Sequence, residues 1–279
     1  MQKLATMHTI LIIAIFFGFA AFLNACASRD GSRREAMIEL ANARGFSPHI
    51  FHTQDFALYG QFRPGQGNIL HVYVEGDGFA WRTRTQASTN PTPKRPVALN
   101  LAISDTSGAP VLYLARPCQY VQESDWGQCS PRYWTTARLA PKVIHALSDA
   151  ISQAMKLAHT RQVALIGYSG GGGAAALLAS QRQDVSFLGT VAGNLDIASF
   201  CSIHRVSPMN ESLNPLDIAH KLKDLPQLHL AGSRDVVIPP NLVAGFCQAS
   251  DHSNSMYVIE GLEHGGPWAE AWHSRMPHH

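Results

Sequence analysis

A long run of charge of one sign is missing from this chain. Its 22 lysines and arginines stand against 20 aspartates and glutamates, a formal net charge of +2. No extended basic face for nucleic acid is therefore expected. No Cys-x-x-Cys occurs among its five cysteines, and no histidine falls at zinc-finger spacing, which argues against a structural metal site. No organic cofactor is expected either. No internal repeat is visible. The longest apolar run, Ile10 to Leu23, is shorter than the roughly 18 to 20 residues needed to cross a bilayer. What is present is apolar material in quantity: 46% of the 279 residues are hydrophobic and only 15% charged. That suffices for one large core, and a single globular domain is expected over residues 51–279.

The N-terminus reads as an export signal, since Lys3 precedes the apolar run and the run ends in the small-residue sequence LNACAS. Leu23-Asn24-Ala25-Cys26 resembles the bacterial lipobox, although Asn24 stands where a small or apolar residue is usual. The resemblance implies removal of residues 1–25 and lipidation of Cys26. Ala27 rather than Asp follows the cysteine, which favours attachment to the outer membrane, facing the periplasm of the cell envelope. Ordinary secretion and a retained signal anchor are the alternatives. Residues 26–50 read as a tether with a short helix, EAMIELANARG.

Export permits disulfides. With Cys26 set aside, Cys118, Cys129, Cys201 and Cys247 allow three pairings. Cys118 with Cys129 closes one polar loop, PCQYVQESDWGQCS, and is favoured; Cys201 with Cys247 follows by elimination.

Beyond the tether, FHTQDFALYGQF alternates like a hairpin, and NILHVYVEG, VLYLARP, RQVALIG, SFLGTVAG, LPQLHLAG and SMYVIEG are short β-rich runs bounded by turn residues. Helical stretches fall chiefly at Ala137 to Ala158 and Gly171 to Gln181, with others near Pro215 to Lys223 and Pro239 to Cys247. This alternation predicts an α/β fold with a mostly parallel central sheet and helices on both faces.

Within this pattern RQVALIG is a strand, AAALLAS a helix, and GYSGG the turn between them. Gly-x-Ser-x-Gly in that context marks Ser169 as a nucleophile on a strained turn, with Gly167 and Gly171 allowing strand and helix to approach. A dinucleotide site also uses a strand, a glycine-rich turn and a helix. That fingerprint normally opens the first βαβ unit, whereas this turn lies in mid-chain and no lysine follows the glycines as a P-loop requires.

A serine nucleophile needs a base and an orienting acid later in the chain, in the order Ser, Asp, His. Asp235 stands just beyond the strand in LPQLHLAGSRDVVIPP, and His264 follows the last predicted strand in SMYVIEGLEHGGPW. Asp196 is the fallback acid, and Asp217 reads as a helix cap. Together these residues resemble the α/β-hydrolase fold family, from about Phe51 to a C-terminal helix at Trp268 to Arg275. The resemblance implies Ser169 as nucleophile, His264 as general base and then acid, and Asp235 holding the imidazole. It further implies an oxyanion hole from the Gly170 backbone N–H and that of Asp77 or Gly78. In the family's His-Gly-Gly-Gly loop, this chain places Glu75 at the histidine and Asp77 at a glycine, and a carboxylate there opposes a developing negative charge unless it points away.

Two loops are expected to frame the pocket: Phe79 to Asn100, with Trp81, Arg82, Arg84, Lys94 and Arg95, and Cys118 to Trp134, with Tyr120, Trp126, Tyr133 and Trp134. Arginines there suit an anionic group; bracing of the loop by Trp134 and Arg138 is the plain alternative. PCQYV and YWTTAR resemble uncharacterised proteobacterial lipoprotein hydrolases. The expected activity is serine hydrolysis of a small-molecule or envelope acyl substrate, a carboxylic ester first, with thioester and peptide bonds open. The rival is a non-catalytic envelope lipoprotein that keeps the fold as a binding scaffold. For the anchor, radiolabelled palmitate is expected to enter the wild-type protein but not Cys26→Ser; an unmodified signal retained on the mature protein overturns that reading.

Overall fold

The computed structural model describes residues 34–276. The predicted signal at residues 1–25, the predicted lipidation site Cys26 and the first part of the tether lie outside the described residues. The chain divides into two units, 1–40 and 41–279. The described part of the first is helical, opening α1 (34–42).

The second unit is built on eight strands: β1 (Ser47–His52), β2 (Ala57–Arg63), β3 (Ile69–Val74), β4 (Val111–Leu114), β5 (Gln162–Tyr168), β6 (Val185–Val191), β7 (Gln227–Gly232) and β8 (Met256–Ile259). The helices among them are α2 (Val97–Ile103), α3 (Pro141–Ala158), α4 (Gly170–Gln181), α5 (Ile197–His204), α6 (Pro240–Ala249) and α7 (Trp268–His273). One sheet holds the strands in the order β1-β2-β4-β3-β5-β6-β7-β8. Only β2 runs antiparallel to both of its neighbours; from β4 through β8 every pairing is parallel. The alternation of strand and helix predicts this sheet, because each crossover returns the chain to the same edge direction.

The sheet is apolar on both faces, as helix cover on both sides requires. Leu70, Val72, Val74, Leu112, Leu114 and Leu165 share one core with residues of α3, α4 and α6. The opposite face buries Tyr73, Tyr113 and Ile166, and α2 and α7 pack against each other on that side. There Trp272 of α7 donates from Nε1 to the Tyr73 hydroxyl at 3.4 Å.

The elements differ from the sequence reading in several places. β1 starts at Ser47, ahead of the expected domain boundary at 51, because Ser47 is in register with Phe62 of β2. α3 starts at Pro141, whose fixed φ and missing N–H suit a first helical position. Residues 215–222 form a 3-10 helix. α2 and α5 were not anticipated. α2 begins within the predicted pocket loop and runs past its end at Asn100, and α5 is preceded by Asp196, whose carboxylate caps it by accepting from Ala198 and Ser199 N–H at 3.1 Å each.

Cys118 and Cys129 are disulfide-bonded, with Cα atoms 5.7 Å apart. The expected second bridge is corrected: Cys201 and Cys247 are separate buried thiols. The pairing by elimination assumed that every exported thiol is oxidised, but these two sit on α5 and α6 as small apolar side chains of the core. Burial pushes the Cys247 thiol up to about 12, which keeps it protonated and unreactive.

At the end of β3, Glu75 is 1% exposed. Its Oε1 accepts from Gly76 N–H at 2.8 Å and, at 3.5 Å, from Ala98 N–H in the first turn of α2; its Oε2 accepts from the Tyr113 hydroxyl at 3.3 Å. Burial dominates these bonds and raises its carboxyl from 4.5 to about 7.

Two expectations follow. Closing the Cys118–Cys129 loop is worth roughly 3 kcal/mol in the chain-entropy estimate, so the Cys118→Ser, Cys129→Ser double variant should lose about that much unfolding free energy in urea; a non-reducing peptide map with both thiols free contradicts the bridge. Glu75 binds its proton more tightly folded than unfolded, so its contribution to stability is full below pH 4.5 and is lost as pH rises to about 7. Unfolding measured at pH 5 and pH 8 should show Glu75→Gln flattening that fall, by on the order of 3 kcal/mol; a slope unchanged by the substitution contradicts it.

Candidate active site

Ser169 sits in the one-residue turn between β5 and α4, with φ 53° and ψ −121°. That is a strained conformation for a residue with a side chain. The surrounding backbone imposes it: Ser169 N–H donates to the Val191 carbonyl at 3.0 Å, and its own carbonyl accepts from Asn194 N–H at 2.8 Å and Gly172 N–H at 2.9 Å. The glycines around it clear space. A Cβ on Gly167 would lie 2.1 Å from the Gly171 carbonyl oxygen, and one on Gly171 would lie 2.3 Å from the Val74 carbonyl oxygen of β3. Neither neighbour is a flexible side chain, so these positions require glycine.

His264 lies in the turn after β8. Its Nε2 is 3.0 Å from Ser169 Oγ and its Nδ1 is 2.8 Å from Asp235 Oδ2. An ionised carboxylate only accepts, so Nδ1 carries the proton and Nε2 is free to accept from the serine. The His264 carbonyl is clamped by two donors, the Tyr168 hydroxyl at 2.9 Å and Trp268 Nε1 at 2.8 Å. Asp235 is buried, and its other oxygen accepts from Val237 and Ile238 N–H at 2.8 Å each. Both carboxylate oxygens are thus engaged, and the carboxylate cannot swing away from the imidazole without losing bonds. The structure therefore brings Ser169, His264 and Asp235 into one hydrogen-bonded chain. It places Asp196 elsewhere, as the cap of α5. The helix-cap reading of Asp217 is corrected: Asn214 holds the cap position of the 3-10 helix at residues 215–222, and Asp217 lies within its first turn, accepting from Asn214 Nδ2 at 3.4 Å.

The loop after β3 carries Asp77, and its carboxylate does not point away. A Cβ on Gly170 would lie 2.2 Å from Asp77 Oδ1, so the carboxylate rests on the residue after Ser169. Two buried arginines answer its charge. Arg138 Nη1 donates to Asp77 Oδ2, and Arg116 Nη1 stands 3.5 Å from Asp77 Oδ1. Arg138 Nε is fixed by the Thr135 carbonyl at 2.8 Å, and Arg116 Nη2 donates to the Arg138 carbonyl. Counting full charges, one carboxylate against two guanidinium groups leaves this cluster positive. Gly78 continues the loop at φ 66°, where a Cβ would lie 2.1 Å from the Pro91 carbonyl oxygen. Gln119, from the disulfide loop, donates to the Gly76 carbonyl at 3.0 Å.

Ser169, His264, Asp77, Gly78, Lys94 and Arg95 are among the residues lining a cleft of about 520 Å³. None of the aromatics expected to frame the pocket, Trp81, Tyr120, Trp126, Tyr133 and Trp134, lines this cleft; its aromatic side chains are Phe79, Tyr168 and Phe200. Tyr120, Tyr133 and Trp134 are buried; Trp134 Nε1 donates to the Ser88 carbonyl at 3.1 Å, and Tyr133 packs edge-on against Phe56 with ring centroids 5.0 Å apart. Trp81, Arg82 and Arg84 are exposed outside the cleft lining. Arg116 was not legible as a site residue from its sequence surroundings, and Arg138 was legible only as a loop brace. The one signal available was Asp77 itself, a carboxylate that a serine-nucleophile site must neutralise.

No curated protein matches the chain in sequence. Solved structures do share its fold. An esterase of Pyrococcus furiosus superposes with a TM-score of 0.58 at 14% identity, covering 82% of this chain and 87% of its own. Est1E of Butyrivibrio proteoclasticus does so with 0.57 at 13% identity, covering 81% and 94%. The acylaminoacyl peptidase of Pyrococcus horikoshii gives 0.57 at 15% identity over 79% of this chain, which spans only 38% of the peptidase. The family model described as Serine hydrolase (FSH1) matches residues 111–274. That is more than half of the chain, it runs from β4 to α7, and it takes in Ser169, Asp235 and His264. The chain has the α/β-hydrolase fold and belongs to the FSH1 serine hydrolase family.

Proposed function

We propose that the protein is an esterase that cleaves carboxylic esters through an acyl-enzyme on Ser169, exported and held at the cell envelope by a lipid on Cys26. The observation that carries the chemistry is the chain of hydrogen bonds from Ser169 Oγ to His264 Nε2 at 3.0 Å and from His264 Nδ1 to Asp235 Oδ2 at 2.8 Å. The anchor rests on the LNAC sequence.

Ser169 Oγ attacks the ester carbonyl carbon while His264 Nε2 takes its proton. The resulting imidazolium is stabilised and held in register by Asp235. The tetrahedral oxygen sits at the N-terminus of α4, where the Gly170 N–H faces it together with the N–H of Asp77 or Gly78. Collapse breaks the carbon–oxygen bond to the alcohol, which leaves with the proton from His264. Water then enters, gives a proton to His264, and attacks the acyl carbon. The serine leaves with that proton and the free acid departs.

A fluorophosphonate probe and p-nitrophenyl acetate test this together. The wild type should be labelled and should turn over the ester. Ser169→Ala should abolish labelling and lower kcat by at least about 10⁴, with His264→Ala similar and the double variant scarcely worse, because the members of one relay are not additive. Asp235→Asn should cost less than the worst of these but still on the order of 10⁴, since the imidazole loses its tautomer. Full activity in Ser169→Ala overturns the proposal, and a crippled Asp196→Asn beside an unaffected Asp235→Asn overturns the choice of acid.

A further inference from the structure

The charges around the cleft do not balance. Of the carboxylates that line it, Asp77 is matched by Arg138 with Arg116 behind it, and Glu75 is buried with its proton retained up to about pH 7. Two more cations line the same cleft, Lys94 and Arg95, and both side chains are exposed. Among the described residues neither forms an ion pair with a carboxylate; Lys94 Nζ lies over the Phe79 ring, 4.0 Å from its centroid. Glu263, beside His264 in sequence, is exposed and is not part of the lining.

Arg95 has a definite place. A Cβ on Gly265 would lie 2.8 Å from Arg95 Nη2, so the guanidinium rests on the residue that follows His264. In the ester hydrolysis proposed above, on which this inference depends, His264 delivers its proton to the departing oxygen. The alcohol half of the substrate therefore lies on the His264 side, and the carbonyl oxygen on the Gly170 side. We infer that Arg95, with Lys94, forms an anion subsite for the leaving group, and that the natural substrate is an ester of an alcohol bearing a carboxylate or phosphate. A guanidinium recognises either anion through paired N–H donors. A leaving group held there keeps the ester oxygen within reach of His264 Nε2 while the bond breaks. Glycine at position 265 leaves the room for the guanidinium to settle.

The test compares 4-acetoxybenzoate, 4-acetoxyphenyl phosphate and neutral methyl 4-acetoxybenzoate, with Arg95→Gln and Lys94→Gln as variants. Taking the ratio of variant to wild type for each ester cancels the different reactivity of the phenols. Arg95→Gln should lower kcat/KM on the carboxylate or phosphate ester by about tenfold and leave the neutral ester unchanged, with Lys94→Gln doing less. Whichever anionic ester suffers more identifies the source of the anion. An equal effect on all three esters overturns the inference. So does an equal loss on mono-p-nitrophenyl succinate, whose charge lies on the acyl side. Binding of 4-hydroxybenzoate and its methyl ester to Ser169→Ala, measured by calorimetry with and without Arg95→Gln, separates the two proposals. Arg95-dependent binding of the carboxylate without any turnover by the wild type sinks the esterase and keeps the anion subsite. Turnover of the neutral ester with Arg95-independent binding sinks the subsite and keeps the esterase.

Discussion

The close approach of α4 to the ends of β3 and β5 is the constraint on which the site depends. Gly171 sits where any side chain would enter the backbone of β3, and Gly167 where one would enter the backbone of α4. With that contact made, the chain has one residue in which to turn from strand to helix, and Ser169 takes a positive φ to do it. The conformational cost, of order 1–3 kcal/mol, persists because three backbone hydrogen bonds from β6, the segment after it and α4 over-determine the turn. The same geometry aims the N-terminus of α4 at the space beside the serine, where its unpaired N–H groups favour negative charge.

Asp77 turns this packing into an electrostatic problem. Gly170 leaves room beside the nucleophile, and that room is filled by a carboxylate. An unmatched carboxylate at that distance would work against any anion forming on the substrate. Arg138 and Arg116 remove the difficulty only because each is itself held in place, Arg138 by the Thr135 carbonyl and Arg116 by the Arg138 carbonyl. Burying two guanidinium groups against one carboxylate is costly on its own. The cluster is intelligible as a site feature, since it fixes the loop that must face the oxyanion and leaves the local charge positive.

The strands were legible because those buried on both faces are nearly continuous apolar runs between turn residues; all of the expected β-rich runs form strands. The order Ser, Asp, His was legible because each residue follows a strand, where open sheets gather their sites. What the sequence hid was hidden for physical reasons. Asp196 reads as a fallback catalytic acid because it too follows a strand, and only the fold shows its carboxylate bonded to the first turn of α5. The aromatics of the Cys118 to Trp134 loop looked like a pocket rim, since nothing local tells a buried ring from an exposed one. The free state of Cys201 and Cys247 depends on where two distant helices lie, which pairing arithmetic does not contain. Arg116 and Arg138 meet Asp77 from other elements of the chain, so their role becomes visible only in three dimensions.

The disulfide belongs to the same assembly as the charges. Cys118 and Tyr120 both have positive φ, an arrangement that a free loop would relax. The bridge to Cys129 holds the first, and Thr92 Oγ1 accepts from Tyr120 N–H at 2.9 Å to hold the second. Between them Gln119 accepts from Arg116 N–H at 3.1 Å through its amide oxygen and donates from its amide nitrogen to the Gly76 carbonyl at 3.0 Å. One side chain thus links the backbone of the arginine that answers Asp77 to the backbone beside Asp77. The covalent bridge, formed some distance from the nucleophile, keeps that link in register. The order of the loop bearing Asp77 therefore rests in part on the Cys118–Cys129 bridge.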